Sequence, residues 1–237
     1  MGRLMKQAVV LAGLLVAAAS PAWAVTLLDF GIIAPTTGSI SYSSSGDGLN
    51  PLIGTDISVD NVIGIGTPLN DFSVLTISGG ELNFDTGDFT GSDADEWFFG
   101  AGGTITLTGG IDLDGGGIGA GDIPLDSVLL SGFWTGTPSV EQETIISKNF
   151  GAAFFDVKND LLAGYYGLPG GSGWSGSINL SFITTSGNTP GQGFTSALVG
   201  SGDIFNFPPP AIPEPSSMLL MGLGLLGGLT GRKRFFS

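Results

Sequence analysis

Glycine sets the first limit on what this chain can fold into. There are 42 glycines in 237 residues, and they recur through the whole region between the two ends. A glycine inside a helix costs about 1 kcal/mol relative to alanine, so this spacing breaks any long helical pattern. Between the glycines stand short runs of Ser, Thr, Val, Ile and Phe that alternate apolar and polar with a period of two. Such runs predict strands over residues 25–33, 39–43, 56–63, 72–78, 81–84, 104–108, 111–113, 127–134, 140–147, 152–157, 161–166 and 177–184. Gly79-Gly80 and Gly109-Gly110 read as tight hairpin turns, since glycine permits the positive φ angles of a two-residue loop. The two hairpins make a weak internal echo about 30 residues apart, which is too little for a solenoid. Short strands at this spacing predict an all-β, antiparallel β-sandwich or jelly-roll-like domain over residues 25–207.

Composition removes several chemistries. The chain has no cysteine and no histidine. Disulfides, thiol catalysis and cysteine-ligated metals are excluded, along with the commonest general base and the commonest zinc ligand. The serine triad in its usual form goes with them. Charge is lopsided. Five of the seven basic residues lie at the ends, as Arg3, Lys6, Arg232, Lys233 and Arg234, while all 21 acids fall between Asp29 and Glu214. The part between the ends therefore carries two lysines, Lys148 and Lys158, against 21 acids, a net charge of −19. Nucleic acid and anionic lipid are poor partners for such a surface. Divalent cations or a basic or neutral polymer suit it better, and solubility outside the cell is the plain alternative.

The ends have their own logic. Arg3 and Lys6 precede an apolar stretch, and Ala22-Trp23-Ala24 places small residues where a signal peptidase reads them. Residues 1–24 read as a signal peptide, cleaved after Ala24 to leave Val25 first. At the other end, residues 208–215 form a proline-rich linker containing Pro213-Glu214-Pro215. Residues 216–231 are apolar and, as a helix, reach roughly 24 Å, a little short of a ~30 Å bilayer core. They predict a marginal transmembrane helix. The basic tail 232–237 stays in the cytoplasm, so everything before Ser216 faces outward.

Pro213, Glu214 and Pro215, the apolar segment and the cluster Arg232, Lys233 and Arg234 together resemble the PEP-CTERM sorting signal of exported bacterial proteins. The resemblance implies an exosortase substrate: a membrane protease-transpeptidase, exosortase, would recognise the signal and cut near Pro213. It also implies transient attachment to the inner membrane, then a cell-surface or extracellular location, often alongside exopolysaccharide and biofilm formation. It covers about a tenth of the chain and says nothing about the fold of residues 25–207. A permanent C-terminal anchor is the alternative.

Three sets of side chains are candidates for a site. Asp85, Asp88, Asp93, Asp95 and Glu96 crowd one glycine-containing stretch, and Asp112, Asp114 and Asp122 another. Carboxylates on flexible loops can converge on calcium, which takes six to eight oxygen ligands. The second stretch fits neither an EF-hand, because Ile123 stands where the closing glutamate would be, nor a repeated β-roll, because that pattern appears once and Asp122 comes one residue late. Trp97 and Trp174 are candidates for stacking on sugar rings, with core packing as the competing reading. Glu96, Glu141 and Glu143 are the conceivable acids of a glycosidase, but nothing in their spacing sets them apart. The segment 170–176 is no nucleophile elbow and reads as a flexible loop. The expected function is therefore non-enzymatic: an exported surface or matrix protein, without a cofactor unless calcium. A carbohydrate- or calcium-binding module is the alternative, and a glycan-active enzyme the third reading.

Overall fold

The structure is a computed structural model that describes residues 27–44, 50–187 and 189–209. The expected signal peptide, the linker beyond Pro209, the expected transmembrane helix 216–231 and the basic tail lie outside the described residues. Thirteen strands and one short helix follow in order: β1 (Leu27–Ile32), β2 (Ser39–Tyr42), β3 (Pro51–Ser58), β4 (Asn61–Ile65), β5 (Val74–Thr76), β6 (Ser78–Ser92), β7 (Glu96–Phe99), β8 (Gly102–Ile111), β9 (Ile123–Trp134), β10 (Ser139–Gln142), β11 (Ser147–Lys158), α1 (Asp160–Tyr165), β12 (Gly171–Thr184) and β13 (Phe194–Phe207). All pairings between them are antiparallel.

The register reduces these strands to eight passes of the chain. β1 and β2 meet successive stretches of β13 on one side and of β4 and β3 on the other, so they are two parts of one kinked pass. In the same way β3 runs into β4, β5 into β6, β7 into β8 and β9 into β10. Each pass pairs with the next, and β13 returns to pair with β1 and β2. The result is a closed eight-stranded barrel rather than a sandwich. Period-two alternation is the same in both architectures; only the pairing of the last pass with the first distinguishes them. That last pass, β13, went unpredicted because its alternation is interrupted by exposed small residues.

Three further expectations are corrected. Gly79-Gly80 and Gly109-Gly110 are not turns. β6 and β8 run straight through them and pair with each other, Ser78 opposite Gly110 and Leu82 opposite Leu107. The glycines there permit close approach: a Cβ on Gly80 would lie 2.1 Å from the Val59 carbonyl oxygen, and one on Gly109 would lie 2.5 Å from Ile77 Cγ2. Residues 161–165 are helical and Tyr166 is the C-cap, rather than a strand over 161–166. Asn159 caps the helix by accepting from the Leu161 and Leu162 amides, and Asp160 occupies the first turn. The segment 170–176 is chiefly the start of β12, not a loop.

Most inward-facing positions are apolar and close the interior, with Lys148, Asp156, Lys158 and Asn206 among the buried exceptions, as expected of eight strands, whose bore is just wide enough for side chains to fill. Trp97, Trp134, Trp174, Tyr166 and Phe150 are among the largest fully buried residues. The outer wall is mixed: Thr104, Thr106 and Thr108 on β8 and Ser175, Ser177 and Asn179 on β12 alternate with buried residues, while Val128, Phe133, Phe155 and Val157 on β9 and β11 are exposed apolar side chains. Among the described residues no helix is long and apolar enough to cross a membrane.

The strand directions place α1, the loop 112–122, the start of β1 and the end of β13 at one rim. Leu28 pairs with Asn206, so both ends of the barrel leave side by side. At this rim α1 turns Leu162 and Ala163 into the core, and Tyr166 follows them. The Tyr166 hydroxyl is shared between the carbonyls of Val62 (3.1 Å) and Ser73 (2.9 Å).

Candidate functional site

The acidic stretch from Asp85 to Glu96 does not converge. Asp85 and Asp88 sit on β6, Asp93 and Asp95 on the turn that follows, and Glu96 on β7. Asp85 is engaged by the amide (3.1 Å) and the hydroxyl of Thr104 on the neighbouring strand. Strand geometry pulls these groups apart where a loop could have gathered them.

The second stretch does gather. Asp112, Asp114 and Asp122 bring carboxylate oxygens within 4.8 Å of one another, in the one such trio among the described residues. The loop is shaped by its own carboxylates. Asp112 Oδ1 accepts from the amides of Gly115 (2.7 Å) and Asp114 (3.2 Å), and its Oδ2 from Gly117 (2.7 Å). Asp122 accepts from Leu113 and Gly119, both at 2.8 Å. The amides of Gly117 and Gly115 hold the Asp112 carboxyl below the usual carboxylate range. The trio is preorganised and anionic, with oxygen-only ligands of the kind calcium takes.

Trp97 and Trp174 point into the barrel and are fully buried, so neither ring is open to a sugar. Trp97 donates to the Gln192 carbonyl (3.1 Å) and packs edge-on against Phe194; Trp174 donates to the Pro169 carbonyl (3.2 Å). Alternation explains it: of Trp97, Phe98 and Phe99, only Phe98 faces outward. The exposed aromatic rings are others: Phe72, before β5, and Phe133 and Phe155, whose centroids lie 6.4 Å apart on adjacent strands. Glu96 and Glu141 stand opposite each other on β7 and β10. Glu143 instead accepts from Asn149 (2.6 Å) and Ser147 (3.1 Å).

Both lysines of the barrel are buried. Lys148 lies over the Trp97 ring, 5.0 Å from its centroid. Lys158 lies over Trp174 at 5.2 Å and Phe30 at 5.8 Å. Its Nζ contacts Asp156 Oδ2, and the same oxygen accepts from Asn206 Nδ2 at 3.1 Å. Burial pushes the Lys158 amine down to about 8, opposed by the charge of Asp156. Burial likewise raises the Asp156 carboxyl, opposed by Lys158. Room for this group comes from glycine. A Cβ on Gly176 would fall 2.3 Å from both Asn206 Nδ2 and the Phe154 ring, and one on Gly132 2.8 Å from Asp156 Cβ. The sequence carried a signal for the β11 half of this group: Lys148, Asp156 and Lys158 place three charged side chains on the same face of the strand as Phe150 and Phe154. With both lysines inside, every exposed ionic group among the described residues is a carboxylate.

Residues 211–234 match the family model of the PEP-CTERM protein-sorting motif. The match includes Pro213, Glu214, Pro215 and Arg232 to Arg234. No curated protein and no solved structure matches the chain.

Proposed function

We propose that this bearer of a PEP-CTERM protein-sorting motif is an exosortase substrate whose cargo is the barrel itself, acting as a non-enzymatic surface or matrix protein. The motif at residues 211–234 carries the reading. Three features support it. The described linker residues Pro208 and Pro209 leave β13 directly, so the signal follows the barrel with a short, stiff spacer. Both ends leave by the α1 rim, which lets a C-terminal tether hold the barrel with its opposite rim outward. A surface whose exposed ionic groups, among the described residues, are all carboxylates suits a protein that stays dissolved within a hydrated extracellular polymer. In this reading signal peptidase removes residues 1–24, the inner membrane holds the chain briefly, and exosortase cuts near Pro213.

The test is fractionation of cells expressing the chain with Pro213-Glu214-Pro215 replaced by Ala-Ala-Ala. The altered chain is expected to accumulate in the membrane fraction while the unaltered chain reaches the surface or medium. Equal partitioning of the two would sink the proposal.

The trio Asp112, Asp114 and Asp122 favours calcium binding as a second reading. Millimolar calcium should then raise the melting temperature of the chain, and Asp112→Asn should abolish the rise. No rise with the unaltered chain removes calcium.

A further inference from the structure

We propose that Lys158 and Asn206 condense into an amide crosslink inside the barrel, with Asp156 as the group that moves the proton. The three side chains come from different parts of the wall. Asp156 and Lys158 face inward two residues apart on β11, and Asn206 faces inward near the end of β13. β12 lies between them. Their polar atoms meet at one point, Asp156 Oδ2, which contacts the Lys158 amine and the Asn206 amide nitrogen together. Three conditions for the reaction are present. The nucleophile is held beside a carboxamide by a shared partner, which replaces a bimolecular encounter with a fixed one. The partner touches both the attacking nitrogen and the nitrogen that must leave. The site is sealed: all three residues are at most 4% exposed, and the Phe30 and Trp174 rings flank the amine.

The step balances without a co-reactant. Lys158 Nζ, as the neutral amine, attacks Asn206 Cγ and forms the new C–N bond. Asp156, as the neutral acid, gives its proton to Asn206 Nδ2 and takes the proton released by Lys158 Nζ in its place; the Cγ–Nδ2 bond breaks, and ammonia leaves. The product is a secondary amide between Lys158 and Asn206, and nothing is oxidised or reduced. Burial favours the starting state, because it disfavours the charged forms of both Lys158 and Asp156. Two observations accord with the reaction. Asn206 Oδ1 and Asp156 Oδ1 are buried without a hydrogen-bond partner, so the trio is poorly satisfied as a static network. Gly176 also gives up its side chain to admit the Asn206 amide. The crosslink would tie β11 to β13 across β12, giving a cysteine-free exported protein the covalent restraint that disulfides give others.

The experiment is intact mass and a denaturing tryptic map of the purified full chain. Lys148 and Lys158 are the only basic residues between Lys6 and Arg232, so the map is simple. The crosslinked chain is expected to weigh less than its sequence by one ammonia, about 17 Da, and to resist cleavage after Lys158 while cleaving after Lys148. Asp156→Ala and Asn206→Ala chains should each keep their sequence mass and regain cleavage after Lys158. A sequence-mass chain that is cut after Lys158 overturns the proposal. So does a loss of about 18 Da, which is condensation with Asp156 instead. A 17 Da loss with Lys158 still cut also overturns it, since that is an asparagine cyclised elsewhere. The unaltered chain alone decides among these outcomes, so a variant that fails to fold does not blunt the test.

Discussion

Single residues in this barrel are constrained chiefly by what their neighbours leave free. Gly176 is the clearest instance, with its missing side chain occupied by the Asn206 amide and the Phe154 ring. Gly176→Ala should lower stability by about 2 kcal/mol or more through overpacking, read as a fall in the urea midpoint. A neighbour sets charge as well as space. Asp29 on β1 is partly buried beside Asp203 on β13, and burial first, then that second carboxylate, push its carboxyl up from 3.8 to about 6. The folded state therefore binds this proton more tightly than the unfolded chain does. Its contribution to stability is full below pH 4 and is lost as pH rises through about 6. Melting temperatures measured between pH 4 and 7 should fall along this window, and Asp29→Asn should flatten that part of the curve. A slope unchanged by the substitution would assign the effect to another group.

At the scale of elements, alternation made most strands legible from the residues alone. Glycine misled where it was read as a turn: at Gly80 and Gly109 it serves close packing within strands, a use that depends on a neighbour the sequence does not place alongside. The aromatic residues failed for a related reason. Period two says that Trp97 and Phe98 face opposite ways, but which face is the interior is settled only when the barrel closes. The helix α1 was hidden because Leu161, Leu162, Tyr165 and Tyr166 also suit a strand; the cap at Asn159 decides for the helix. The rim it seats is held in part by the Tyr166 hydroxyl, buried between two carbonyls. Tyr166→Phe should cost about 1 kcal/mol, and backbone amides of α1 should exchange with solvent faster than in the unaltered chain. Normal protection in α1 would show that the hydroxyl does not anchor it. Of the candidate sites, the trio Asp112, Asp114 and Asp122 was legible as a run of aspartates among glycines. The Lys158 group was not, because Asn206 is far away in sequence.

For the whole molecule, the barrel and its address are separate inventions on one chain. The barrel closes by strand pairing alone along its seam, since β13 pairs with β1 and leaves no free edge there. Its two ends emerge together, so a signal peptide and a sorting signal can both be attached at one rim and removed without disturbing the wall. Sequence reached the address directly, because Pro213-Glu214-Pro215 and the basic cluster act as a linear signal; it reached the cargo only as far as its class. The account rests most heavily on the claim that the address is discarded, and intact mass of the protein recovered from culture medium and from membranes measures this directly. A released form that begins at Val25 and ends near Pro213 is the expected result. A form that retains Ser237 in both fractions would contradict it and make the C-terminal segment a permanent anchor.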